Sequence, residues 1–254
     1  MFPGYSNEKI IYESETTLIA RATREKDQEQ VVLKILNSEY PAPDVLARFG
    51  IEYSIGRNLN IDGVVSVLTY ELFGNKPLIV MKDIGGSSLA QLLPGFDNRL
   101  SVKDFLILAL HITHILDLIH RQKIIHKDIN PTNIIWNPRT NRVNIIDFGI
   151  STELSRETQT ILNPEILEGT LAFMSPEQTG RMNRAMDYRT DLYSLGVVFY
   201  QLLTGVLPFE TKDPMELVHC HIARNPIPPH EFDPGIPRTL SAITMKLMSK
   251  MAFW

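Results

Sequence analysis

The chain has 254 residues, of which 44% are hydrophobic, and it carries a formal net charge of −4. This length allows one catalytic unit with a large core, and the slight acidic excess excludes a basic surface for nucleic acid. The single cysteine, Cys220, excludes an internal disulfide framework and favours a reducing cytoplasm. Polar residues interrupt the longest apolar stretches, and the N-terminus MFPGYSNEKI lacks a signal-peptide core. The sequence predicts a cytoplasmic protein with no membrane span and no nucleic-acid partner.

Short strand-like runs surround one helical run between Ile10 and about Met81. We predict strands in YESETTLIARATR and VVLKIL, a helix in PDVLARFGIEYSIGRNL, and strands in VVSVLTYEL and PLIVMK. The glycine pair of IGGSSLAQLL, at 84–93, is typical of a hinge between two structural parts. The pattern predicts a small sheet lobe that contains one helix.

Helical spacing of apolar residues dominates the chain after this hinge. SVKDFLILALHITHILDLIHRQ begins with Ser101, a good N-cap, and predicts a long, largely buried helix. YRTDLYSLGVVFYQLLTG ends at Gly205, a suitable C-cap, and Pro208 follows it. Strands first and helices later indicate an α+β protein.

Two carboxylates and an amide lie close together in the stretch from Ile124 to Ile150. Asp128 lies on a polar turn, Asn133 begins the apolar run IIW, and Asp147 ends the run VNIID. The turn NPRTN predicts a hairpin between these runs. A carboxylate such as Asp147 can hold Mg²⁺, Asn133 can add an amide oxygen, and Asp128 can accept a proton from a hydroxyl.

HKDINPTN followed by DFG resembles the catalytic and magnesium loops of eukaryotic-type protein kinases. The same family order appears in Lys34 of VVLK, Glu52, GT before SPE, and DxxxxG. The resemblance covers Tyr5 to about Ala252, and it is nearest to the N-terminal kinase domain of large bacterial proteins that continue into an ATPase region and a sensor histidine kinase. It implies one two-lobed, protein kinase-like domain over 1–254, with an N-lobe at about 5–83 and a C-lobe at about 87–254.

The resemblance implies ATP and Mg²⁺ as partners of the site and assigns roles to its residues. Lys34 is expected to contact the α and β phosphates and to pair with Glu52. Met81 aligns with the back of the adenine pocket, and the next three residues align with the hinge. The expected catalytic residues are Asp128, Lys34, Glu52, Asn130 and Thr170; the expected metal ligands are Asn133 and Asp147; the expected nucleotide contacts are Tyr12, Ser14, Thr17, Ile19, Val32, Lys34, Met81, Asp83 and Ile84.

Thr170 favours serine/threonine over tyrosine specificity, because kinases of the first kind place a threonine there beside the catalytic aspartate. Ser151, Thr152, Ser155, Thr158 and Thr160 lie in the segment between Asp147 and Glu177, which is typical of a mobile activation segment.

Several positions depart from the family pattern, among them Lys127, which replaces the usual arginine. No glycine remains where the family has GxGxxGxV; Ser14 and Thr17 are small and offer hydroxyls instead. Asn130 replaces the usual lysine, which predicts reduced turnover. Gly56 stands where the family places a bulky apolar residue, and it weakens its helix by about 1 kcal/mol relative to alanine.

In the family that this chain resembles, the residues that match Asp191 and Glu177 are buried carboxylates. Asp191, among Leu192, Leu195 and Val197 and five residues before Gly196, is expected to be buried and to hold the catalytic-loop backbone. The family's C-terminal arginine, which pairs with the glutamate at Glu177, has no counterpart before Trp254. We therefore expect a truncated C-terminus, with Glu177 wet, protonated or paired with a substitute; the substitutes are Arg181, Arg184 and Arg189.

Two histidine groups are interpreted as core or surface residues rather than metal ligands, because each lies on one predicted helix without a second Cys/His cluster. They are His111 with His114, and His219 with Cys220 and His221.

The leading hypothesis is a serine/threonine protein kinase of bacterial signal transduction, acting on a protein hydroxyl. The same hypothesis predicts a regulatory partner, or downstream ATPase and histidine kinase domains in a longer relative. The alternative is a catalytically weak or silent nucleotide-binding scaffold that acts through partners. The missing glycines, Asn130 and the expected loss of the C-terminus favour this alternative.

Overall fold

The computed structural model describes residues 2–153, 171–181 and 186–250. The chain divides into two compact units. The first consists of Met1–Gly86 with Ile146–Ile150, and the second consists of Ser87–Ile145 with Ser151–Trp254. The predicted ranges of the two lobes stay predictions.

The first unit is built on a five-stranded antiparallel sheet with the strand order β1-β2-β3-β5-β4. One helix, α1, connects β3 to β4, as the sequence predicts. The first strand begins earlier than the predicted start near Ile10, because the buried Tyr5 extends it and donates its hydroxyl to Glu71. The bounds are β1 Tyr5–Glu13, β2 Thr17–Arg24, β3 Glu29–Leu36, α1 Pro43–Asn58, β4 Val67–Phe73 and β5 Lys76–Lys82.

Alternate residues of these strands form two separate apolar clusters, because successive side chains of a strand point to opposite faces. One face carries a cluster that includes Leu33 and Val80. The other face carries Leu36, Val67 and Ile79, and Phe49 of α1 packs in the same cluster. Helix α1 therefore covers the second face.

The second unit is mainly helical. In the described part of this unit, β6, β8 and β9 form one small sheet, and β7 and β10 form another. Their bounds are β6 Ser87–Ser88, β7 Ile124–Ile125, β8 Ile134–Asn137, β9 Arg142–Ile145 and β10 Thr152–Glu153; the helices are α2 Leu89–Leu92, α3 Val102–Arg121, α4 Arg189–Thr204, α5 Pro214–Ala223, α6 Pro229–Phe232 and α7 Arg238–Leu247.

The two long helices begin and end where their sequences predict. The Ser101 hydroxyl caps α3 by accepting a hydrogen bond from Asp104 N at 3.1 Å. Gly205 ends α4 with a left-handed φ of 81°. Helix α4 packs closely on the end of α7, since a side-chain carbon on Gly196 would lie 2.8 Å from Leu247 Cβ. The α+β class is confirmed.

Candidate active site

Lys34 of β3 lies between two carboxylates in the first unit. Its Nζ donates hydrogen bonds to the two carboxylate oxygens of Glu52 at 2.8 and 2.7 Å, and to Asp147 Oδ2 at 3.0 Å. The Glu52 side chain is 7% exposed, whereas that of Asp147 is 36% exposed. Glu52 therefore anchors the lysine from the helix side, and Asp147 stays accessible to a ligand.

Burial and charge act against each other in this cluster. Burial by itself lowers the pKa of Lys34, but the negative charges of Asp147 and Glu52 outweigh it and raise that pKa on balance. Burial raises the pKa of Glu52 above its ordinary value, and the charge of Lys34 offsets only part of this rise. Lys34 is thus a permanent cation at neutral pH, facing two acidic groups.

Asp147 has a left-handed backbone with a φ of 67°, which is uncommon for a residue other than glycine. Its Oδ1 accepts a hydrogen bond from Gly149 N at 3.1 Å, which closes a short turn. Because Oδ1 holds this turn and Oδ2 faces Lys34, the carboxylate has a defined orientation.

In the second unit, two amide side chains orient Asp128. Asn130 Nδ2 donates to Asp128 Oδ1 at 2.7 Å, and Asn133 Nδ2 donates to Asp128 Oδ2 at 2.8 Å. Asn133 Nδ2 also lies 2.9 Å from the main-chain oxygen of Asp128. Both carboxylate oxygens are therefore fixed by donors, and the structure brings these three predicted site residues together.

The Asn130 amide is buried, with 4% of its surface exposed. Its Oδ1 accepts from Thr132 N at 2.8 Å, from Asn133 N at 3.3 Å, and from the Thr132 hydroxyl. The two ends of the Asn130 amide are therefore both used to hold the loop itself.

The backbone of the same loop is held by Asp191 of α4, as predicted. Asp191 is fully buried; it accepts from His126 N at 2.8 Å, from Lys127 N at 2.7 Å, and bonds to His120 Nε2 at 2.8 Å. Lys127 has a φ of 67°, so its backbone depends on such partners.

A second residue that holds this loop, Gln178, was not predicted from the sequence. Gln178 Nε2 donates to the main-chain oxygen of Lys127 at 2.8 Å, and Gln178 is 3% exposed. Gln178 also accepts from Ser175 N at 3.0 Å in a capping box. The S-x-x-Q spacing of the SPEQ motif was the available signal.

Four predicted nucleotide contacts share one face of the first unit's sheet. Ile19 pairs with Lys34 across β2 and β3, and Val32 pairs with Met81 across β3 and β5. Directly opposed residues of neighbouring strands lie on the same face, and i, i+2 residues stay on it. Arg21 lies opposite Val32 on this face and was missed, although its spacing of two from Ile19 was a usable signal.

The β1–β2 turn, where the family has glycines, is tightly bonded. Ser14 N donates to Thr17 O at 2.8 Å, and Thr17 N donates to Ser14 Oγ at 3.1 Å. Asn37, just after β3, donates to Ser14 O at 2.7 Å. The Ser14 hydroxyl therefore closes the turn, and Tyr12 precedes the turn with its side chain exposed.

The predicted hinge residues follow β5. Asp83 Oδ1 accepts from Gly85 N at 2.8 Å, and Asp83 Oδ2 lies 3.1 Å from Arg21 Nε. Both oxygens of the Asp83 carboxylate thus contact neighbouring protein groups. Ile84, between Asp83 and Gly85, is partly buried.

Glu177 accepts a hydrogen bond from Thr190 Oγ1 at 2.9 Å and is partly buried. Of its predicted substitute partners, Arg189 pairs with Asp187 and Arg181 lies 3.5 Å from Met215 Sδ. A hydroxyl thus contacts Glu177 within the described ranges. Several predicted residues lie outside those ranges, namely Thr170, Ser155, Thr158, Thr160 and Arg184.

One histidine of each group has an ordinary protein partner. His111 Nδ1 contacts Ile107 O at 2.9 Å, and His221 Nδ1 contacts the Tyr193 hydroxyl at 2.9 Å. Within the described ranges, three or more His, Cys, Asp or Glu side chains are nowhere grouped as a metal site. Among the described helices, none has the length and apolar character needed to cross a bilayer.

Several proteins that are similar to this chain are named as serine/threonine-protein kinases. The chain is 31% identical over 243 residues to a probable serine/threonine-protein kinase of Clostridium perfringens, covering 95% of the chain and 35% of that protein. It is 33% identical over 226 residues to a probable serine/threonine-protein kinase of Streptomyces coelicolor, covering 87% of the chain and 33% of that protein. It is 31% identical over 225 residues to the serine/threonine-protein kinase PknB of Mycobacterium leprae, with 87% and 35% covered.

The chain spans about a third of the length of these curated relatives. The family described as the protein kinase domain matches residues 5–253, a range that holds Lys34, Glu52, Asp128 and Asp147. Since this match covers nearly the whole chain, the protein belongs to the protein kinase family.

Proposed function

We propose that this chain is the catalytic domain of a serine/threonine protein kinase that uses ATP and Mg²⁺. The observation that carries the proposal is the bonding of Lys34 Nζ to both Glu52 and Asp147. This is the ion pair and the magnesium-loop carboxylate that protein kinases need in place for transfer. The names of the similar bacterial proteins support the serine/threonine class.

The chemistry assigned to the second unit is proton acceptance. The hydroxyl oxygen of a protein serine or threonine attacks the γ-phosphorus of ATP, the bond to the β–γ bridging oxygen breaks, and ADP leaves. Asp128 accepts the hydroxyl proton, since Asn130 and Asn133 hold both of its oxygens in a defined direction. Lys34 is proposed to contact the α and β phosphates of ATP.

Each of the two units offers an oxygen ligand of the kind that Mg²⁺ prefers. Asp147 of the first unit offers a partly exposed carboxylate. Asn133 of the second unit offers its amide oxygen, which the Thr132 hydroxyl approaches at 3.5 Å. Lys34 faces two carboxylates, so a further cation at Asp147 would offset the excess negative charge. Mg²⁺ would supply charge neutralisation on the phosphates.

A silent, nucleotide-binding scaffold is the second candidate. It is favoured by the buried Asn130 amide, which leaves the loop without the lysine that the family places there. We propose that the protein still transfers phosphate, at a reduced rate, because Lys34, Glu52, Asp128, Asn133 and Asp147 are all present.

The setting of this activity is also a proposal. We assign the protein to bacterial signal transduction in the cytoplasm, with a protein substrate, and the buried free thiol of Cys220 suits a reducing compartment. A regulatory partner, or ATPase and histidine kinase domains in a longer relative, would supply the input.

Transfer of labelled phosphate from ATP to a protein substrate, after a thermal-shift assay with MgATP, tests the proposal. We expect stabilisation by MgATP and measurable transfer, and loss of transfer by a factor of about 10³ or more in Asp147→Asn and in Asp128→Asn. Asp117→Asn, which changes a surface aspartate paired with Arg121, is the matched control. Binding without transfer in the unmodified protein would establish the scaffold instead.

A further inference from the structure

Arg21 is a charged residue on the sheet face that carries the predicted nucleotide contacts. It lies two residues after Ile19 on β2 and opposite Val32 on β3. Val32 is in turn opposite Met81 on β5. The register therefore places a guanidinium group in line with the residues assigned to adenine, at the end of the sheet nearest the predicted hinge.

The Arg21 side chain contacts the hinge segment at two points, through one hydrogen bond and one ion pair. Its Nη2 donates to the main-chain oxygen of Gly86 at 2.6 Å, and its Nε lies 3.1 Å from Asp83 Oδ2. The side chain of Asp83 is 13% exposed and that of Arg21 is 36% exposed. The pair is therefore better shielded from water than an ordinary surface ion pair.

The segment that Arg21 contacts would be flexible without such contacts. Gly85 and Gly86 have φ values of 69° and 85°, and glycine moves between such conformations at little cost. Asp83 Oδ1 accepts from Gly85 N at 2.8 Å, while Arg21 bonds to Gly86 O. The glycine pair is thus tied at both residues by one connected network.

We propose that Arg21 is a positioning residue for nucleotide binding. It acts through Asp83 and Gly86, holding the backbone of Lys82–Ile84, the segment assigned to the adenine ring, in one conformation. A segment that is already ordered loses less conformational entropy when a ligand binds. The inference rests on the proposed function, because it concerns the ATP site of that proposal.

The test compares the dissociation constants of MgATP and of adenosine, measured by titration calorimetry. The variants are Arg21→Gln, Asp83→Asn and the double variant. Asp83→Asn removes the charge but keeps an oxygen for Gly85 N. The matched control is Arg24→Gln, since Arg24 lies on the same strand and pairs with Asp27 and Glu29 instead.

We expect each single variant to raise both dissociation constants roughly fivefold, with the double variant no worse than either single one. The effect should be the same for adenosine and MgATP, because the pair acts on the base-binding segment. In steady-state assays, KM for ATP should rise more than kcat falls. The control should leave both dissociation constants unchanged.

Three results would overturn the inference: unchanged dissociation constants, an equal loss in Arg24→Gln, or a loss for MgATP without one for adenosine. The last result would place the guanidinium on the phosphates. If Arg21→Gln does not fold, as judged by circular dichroism, Arg21→Lys and Asp83→Asn carry the same comparison. Failure of the unmodified protein to bind either ligand would refute the proposed function as well, whereas binding that the variants leave unchanged refutes this inference alone.

Discussion

At the scale of single residues, one amide takes over a place that the family gives to a lysine. Asn130 donates to the Asp128 carboxylate and accepts from the backbone of Thr132 and Asn133. A lysine has three donors and no acceptor, so it cannot make the second set of bonds. In this loop, a local hydrogen-bond network around Asn130 therefore stands where the family has a flexible lysine side chain.

Replacing Asn130 by alanine should reduce kcat at least tenfold and the free energy of unfolding by about 2 kcal/mol, because two backbone N–H groups lose their acceptor in a buried place. KM for ATP should change less than kcat, since the variant disturbs Asp128. Steady-state kinetics and urea unfolding measure these effects. Asn137→Ala is the matched control, because Asn137 makes a similar amide contact, to Arg139 N, in an exposed turn. A kcat equal to that of the unmodified protein would contradict the role of Asn130.

At the scale of elements, the position of Glu52 depends on how closely α1 approaches β4. A side-chain carbon on Gly56 would lie 2.5 Å from Val67 Cγ2, which is too close for any real contact. The glycine therefore weakens the helix but permits its packing. Val67 fills the space that a side chain at position 56 would need.

Gly56→Ala should gain up to about 1 kcal/mol of helix propensity and lose about 2 kcal/mol from overpacking, so the protein becomes less stable. Its transfer rate should also fall, because a displaced α1 carries Glu52 away from Lys34. Adding Val67→Ala should restore much of the activity, and the non-additivity of the two changes measures the contact.

Gly50→Ala on the same helix is the control for this experiment. Gly50 is exposed, and a side-chain carbon there would meet nothing within 4 Å. This variant should be as stable as the unmodified protein or more so. If Gly56→Ala behaves in the same way, the close approach of α1 to β4 is not required.

At the scale of the whole molecule, a buried histidine in the second unit links stability to pH. His221 is 1% exposed and contacts the Tyr193 hydroxyl. Burial, with a smaller contribution from the charge of Lys250, lowers the pKa of His221 to about 4. The unfolded chain takes up this proton near pH 6.5, whereas the folded chain resists it down to about pH 4. The stability that depends on neutral His221 is therefore present above pH 6.5 and is lost as the pH falls towards 4.

The expected loss from this one group is about 3 kcal/mol between pH 7 and pH 4. Urea unfolding at a series of pH values should show it, and His221→Gln should flatten the profile in this range. His219→Gln, which changes an exposed histidine on the same helix, should leave the slope unchanged. Equal slopes in all three proteins would show that His221 does not carry the effect.

The family and the order of the elements could be predicted from the sequence, because local signals carry them, and the same motifs named most residues of the candidate site. Capping at Ser101 and Gly205 and the HKDINPTN and DFG motifs depend on neighbouring residues, and the alternation of the strands decides which side chains share a face.

The tertiary structure decided what each side chain bonds to. The partners of Arg21 and Gln178, and the reason for Gly56, involve atoms that are distant in the sequence and that folding brings together. Lys34 lies 113 positions before Asp147, yet their side chains meet at 3.0 Å. Composition and spacing do not report such contacts, since the free energy of a buried polar group depends on the partner that folding supplies.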